Sequence, residues 1–74
     1  MLESVTMKEI EAIFAVTDAM GIHRESLTIP LGPGTPGRVR RTPTGKLEII
    51  VEATQPFDEW IRTLPGLIRA VLPR

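Results

Sequence analysis

The segment Gly32-Pro33-Gly34-Thr35-Pro36-Gly37 places five glycines or prolines in six consecutive positions. Proline fixes φ and carries no amide, while glycine leaves the backbone unrestrained. Neither a helix nor an interior strand can therefore run through the segment. It divides a 74-residue chain into stretches 1–31 and 38–74. Chains much shorter than the whole rarely bury enough surface to fold alone. Both stretches must then contribute to one core, which predicts a single domain over 1–74 with 32–37 as an internal loop. That loop is expected to connect across the end of a sheet.

Before the loop, Thr6 and Glu9 have the S/T-x-x-E spacing of a capping box, and Val5 and Ile10 have the spacing of the accompanying hydrophobic staple. Ile10, Ile13, Phe14 and Met20 recur at helical intervals, with Ala12 and Val16 beside them. Gly21 suits the left-handed position that closes a helix, with Ile22 folding back behind it. The expected helix runs from Met7 to Met20. Leu27-Thr28-Ile29-Pro30-Leu31 alternates apolar and polar residues and reads as a short strand, which Pro30 confines to a sheet edge or ends.

After the loop, Thr42-Pro43-Thr44-Gly45 fits a type I turn followed by a glycine bulge. This register sets Thr42 against Lys46, Arg40 against Glu48 and Val39 against Ile49. Leu47, Ile49 and Val51 then share an inward face, with Lys46, Glu48, Ile50 and Glu52 on the other. A second helix begins near Pro56, where a missing amide costs nothing. Its stripe is Phe57, Trp60, Ile61, Leu64, Leu67, Ile68 and Val71. Pro65 must kink that helix or divide it.

The resulting fold is α+β: a single small domain of order α-β-β-β-α, or α-β-β-α if the Leu27 segment stays irregular. Two helices are expected on one face of a small antiparallel sheet. Leu47, Ile49 and Val51 would meet Ile13, Phe14, Trp60, Ile61 and Leu64. The order α-β-β-β-α is also that of double-stranded-RNA-binding domains. Where those carry lysines at the start of the last helix, this chain has Phe57-Asp58-Glu59, which repels phosphate. The His-Glu-x-x-His signature of zinc peptidases is absent from the last helix.

Composition narrows the function. Nine basic and nine acidic side chains balance, which argues against a general nucleic-acid binder or a polybasic membrane anchor. With no cysteine and one histidine, thiol catalysis and metal sites built on Cys or paired His are excluded. No cofactor or metal is expected. The Met1-Leu2-Glu3-Ser4 start has no leader pattern and no apolar run approaches a membrane span, so a cytoplasmic protein is expected.

Three features remain as candidate sites. His23-Arg24-Glu25 mixes titratable groups, but lacks a nucleophile or second histidine and suits the C-terminal end of a helix. Arg38, Arg40, Arg41 and Lys46 form the one basic concentration, a candidate anion or nucleic-acid site. Glu48 and Glu52 are expected on the face of Arg38, Arg40 and Lys46 and to pair there, with Arg41 alone on the other face. The third is apolar: Ile50, Leu67, Ile68, Val71 and Leu72 exceed what a narrow sheet should cover. They point to a protein partner or a homodimer, since a small chain without disulfides or metal commonly gains stability by association. In the competing arrangement, Ile22, Leu27, Ile29 and Leu31 cover them within one chain. The sequence thus predicts a non-enzymatic protein-interaction module or accessory subunit. The alternatives are an anionic-ligand binder and a degenerate relative of an enzyme domain.

Overall fold

The computed structural model describes residues 3–72; Met1, Leu2, Pro73 and Arg74 lie outside the described residues. Helix α1 spans Met7–Ala19, followed by a 3-10 turn at Arg24–Ser26. Strands β1, β2 and β3 span Leu27–Thr28, Arg38–Arg41 and Leu47–Ile50. Helix α2, Phe57–Trp60, leads through a 3-10 turn at Ile61–Thr63 into α3, Leu64–Val71. The architecture is α+β in one domain.

The start of α1 is built by its capping box. Glu9 folds back so that its Oε1 accepts the Thr6 amide at 2.8 Å and the Thr6 hydroxyl at 2.6 Å. At the other end Gly21 adopts φ 75°. Its amide donates to the Asp18 carbonyl at 3.0 Å, and the Ile22 amide to the Thr17 carbonyl at 2.9 Å, the Schellman pattern. The buried line of α1 is Glu9, Ile13 and Thr17. Phe14, expected in the core, instead lies half-buried outside the core cluster, beneath the Arg24 guanidinium, 4.5 Å from the ring centroid. Thr17 replaces it inside, because its hydroxyl is satisfied by the Phe14 carbonyl at 3.2 Å.

The sheet has the order β1-β3-β2 and is mixed, not purely antiparallel. The hairpin β2–β3 has the expected register, with Arg40 opposite Glu48 and Val39 opposite Ile49. Its turn closes with the Gly45 amide on the Thr42 carbonyl at 2.9 Å, Gly45 at φ 86°. Strand β1 pairs parallel to β3, Leu27 opposite Leu47. Alternation in sequence determines which side chains share a face but not the direction of the neighbouring strand. Here residues 29–37 reverse the chain while passing around the end of β3, so β1 and β2 occupy opposite edges.

That passage is tethered twice. Gly34 forms a parallel bridge with Glu52: its amide donates to the Val51 carbonyl at 2.9 Å, and its carbonyl accepts the Ala53 amide at 2.8 Å. The Gly37 amide donates to Glu52 Oε1 at 2.9 Å.

The α2–α3 rod resolves the Pro65 conflict by tightening. The 3-10 turn at Ile61–Thr63 precedes Pro65, which falls in the first turn of α3, where no intrahelical amide is required. The Thr63 hydroxyl donates to the Trp60 carbonyl at 2.7 Å. Trp60, 3% exposed, joins Ile13, Ile49, Val51, Leu64 and Ile68 in the core. Leu47 and Val39 complete the sheet's contribution. Ile61 is only half-buried against this cluster.

Candidate functional site

The expected apolar surface does not form as one patch. Ile68 is fully buried in the chain's own core. Leu67, Val71 and Leu72 are half-buried against that core, as are Ile22, Leu27 and Ile29. Leu31 stays 61% exposed, its carbonyl accepting the Val5 amide at 2.8 Å. Ile50 lies on the opposite side of the sheet from the helices and is half-buried. The loop covers it: a Cβ built on Gly34 would stand 2.9 Å from Ile50 Cγ2. Ile50 is thus set apart from the α3 residues grouped with it.

A different apolar concavity is present, in the groove between α1 and α3. It has a volume of about 440 Å³ and is lined by Ala15, Val16, Ala19, Met20, Pro65 and Arg69. Ala15 and Ala19 are exposed and small, so the floor is accessible to another helix. Leu72 stands one turn beyond Arg69. Sequence periodicity missed this groove because it lies beside the apolar stripe, among alanines that carry little hydropathy signal.

The basic hairpin is only partly paired. Arg40 forms an ion pair with Glu48, which is 18% exposed. The hydrogen bond from Arg40 holds the Glu48 carboxyl below its ordinary range. Among the described residues, Arg38, Arg41 and Lys46 make no ion pair. Glu52, expected to face this group from the surface, is withdrawn from it at 8% exposure. It accepts the Gly37 amide on one oxygen. The other takes the Thr54 amide and hydroxyl at 3.1 and 2.9 Å. These donors, the Gly37 amide foremost, lower its pKa to about 2. Glu52 is a structural pin for the loop.

The His23-Arg24-Glu25 triplet lines a surface depression of about 600 Å³ with Asp18, Gly21 and Ile22. Arg24 is occupied, forming an ion pair with Asp18 at 2.8 Å, and its hydrogen bond lowers the Asp18 pKa. His23 is exposed and precedes the 3-10 turn. Among the described residues no cluster of His, Cys, Asp and Glu is arranged to hold a metal ion. No helix there is long and apolar enough to cross a membrane.

Compared with family models, curated proteins and solved structures, the chain matches none.

Proposed function

We propose that the chain is a small non-enzymatic protein-interaction module that forms a two-fold homodimer through the groove between α1 and α3. The carrying observation is that groove: an open apolar trough with a floor of alanines, in a domain too small for a large core. Small side chains let a second helix approach closely. Shape favours a second copy of this chain as the occupant: two such troughs set face to face about a two-fold axis each cover the other's alanine floor, a self-complementary contact. Burying the alanine floor would add the association energy that a cysteine-free chain of this length lacks.

The test is molar mass in solution across a concentration series, for the native chain and for Ala19→Arg. Ala19 is exposed, so arginine there fills the groove without entering the core. The native chain should shift to twice its monomer mass as concentration rises, and Ala19→Arg should remain monomeric while keeping its far-UV spectrum. A native chain that stays monomeric throughout refutes the proposal.

A further inference from the structure

Strand β2 is one of the two edges of the sheet, bonded to β3 on one side only. The Thr42 amide donates to the Lys46 carbonyl at 2.8 Å, so Thr42 and Lys46 are a hydrogen-bonded pair. Pairs alternate along an antiparallel ladder. Arg40–Glu48 and Arg38–Ile50 are therefore also bonded pairs, and Val39 and Arg41 direct their N–H and C=O groups away from β3. Among the described residues neither finds a backbone partner beyond that edge.

Two further features surround the edge. Helix α3 lies over β2 and turns Pro65 and Arg69 toward α1, where both line the groove. Helical geometry puts Leu67 and Val71 on its opposite flank, away from α1, and both are half-buried against the core. The strand itself carries Arg38, Arg40 and Arg41, all exposed.

We propose that this edge receives an extended acidic segment of a partner protein as a fourth strand. The segment's backbone would complete the ladder at Val39 and Arg41. Its alternate apolar side chains would sit beneath Leu67 and Val71, and its carboxylates would meet Arg38 beside Arg40 on the outer face. A second copy of this chain does not fit, because antiparallel β2–β2 pairing sets arginine against arginine in every register. A nucleic-acid backbone does not complement these groups. Phosphates only accept hydrogen bonds and leave the outward carbonyls of Val39 and Arg41 without donors. The site lies on the flank of α3 away from the groove and does not depend on dimerisation.

The experiment titrates the isotope-labelled chain with a short peptide alternating Asp and Val, followed by amide hydrogen exchange and anisotropy. Binding should slow exchange at Val39 and Arg41, while Arg40, already bonded to Glu48, changes little. Affinity should drop about tenfold or more when alternate peptide nitrogens are methylated, since ladder bonds are lost with the charge retained. Arg38→Glu should weaken binding by a similar factor without altering the thermal midpoint. Equal affinity for the methylated peptide, tighter binding of a single-stranded oligonucleotide, or no added protection at Val39 and Arg41 would each overturn the proposal.

Discussion

Gly37 is the position where adding one methyl group should disturb this domain most. The residue adopts no left-handed conformation; among the described residues only Gly21 and Gly45 do. Its requirement is space. A Cβ at Gly37 would stand 2.6 Å from the Glu52 amide nitrogen, 2.8 Å from Glu52 Cα and 2.7 Å from Trp60 Nε1. Ordinary heavy-atom contacts lie near about 3.5–4.0 Å, so each overlap approaches an ångström. Two of the three atoms are backbone in the bridge with Gly34, and the third belongs to a packed indole. None can yield like the end of a flexible side chain. Overpacking costs about 1–3 kcal/mol, and a rigid surround puts Gly37→Ala in the upper half of that range. Against a total stability of about 4–11 kcal/mol for a chain of this length, that is a large share. It should lower the thermal midpoint by roughly 10–20 °C. Trp60 is the sole tryptophan, so its fluorescence reports urea and thermal unfolding directly. Gly32→Ala is the internal control. Nothing lies within 4 Å of its Cβ, and the change should be neutral or stabilise by up to about 1 kcal/mol. A Gly37→Ala midpoint indistinguishable from the control would show that the chain does not pass between Glu52 and Trp60 as described.

Trp60→Ala removes the centre of the core and should cost about 3–5 kcal/mol, read by the circular-dichroism melt; an unchanged melt would disprove its central role. Gly66 lies exposed within α3 with nothing within 4 Å of its Cβ, so Gly66→Ala should raise stability by roughly 0.5–1 kcal/mol in urea titrations. Glu52 titrates near 2 when folded, against an ordinary 4.5. As pH falls through that window the unfolded chain takes up the proton first. Its contribution is therefore complete above about 4.5 and is lost progressively toward about 2. Glu52→Gln should flatten that part of the stability–pH curve, and an identical slope in the variant would exclude Glu52 as its source.

What could be read from the sequence was local chemistry with one answer. The Thr6–Glu9 box, the Gly21 closure and the Pro43–Gly45 turn each specify a backbone path within a few residues, and all three form. The turn also fixes the Arg40–Glu48 register. What could not be read depended on contacts distant along the chain. The parallel pairing of β1 follows from where residues 29–37 carry the chain, which no alternation pattern records. Glu52 shares a period-two face with Glu48, yet it turns to the Gly37 amide once the ladder ends at Ile50. Ile50 reads as an apolar residue stranded among charges because its cover, Gly34, has no side chain to announce it. Of the candidate sites, the basic hairpin was legible as charge. The free edge beside it depended on strand order, and the groove on how two helices meet.

The position of β3 between β1 and β2 has a consequence for synthesis. The strand that both others need is the last of the three to leave the ribosome. Until Leu47–Ile50 emerges, β1 has nothing to pair with, and the arch at 32–37 cannot fasten before Glu52 follows. Residues 1–37 thus have no sheet of their own and can hold at most the α1 helix. The β2–β3 hairpin, which closes a short loop, is the natural nucleus, and β1 joins by a longer-range closure. A nascent chain stalled before residue 47 should be as sensitive to protease as an unfolded one. Protection should arrive in a single step once the Trp60 helix clears the exit tunnel.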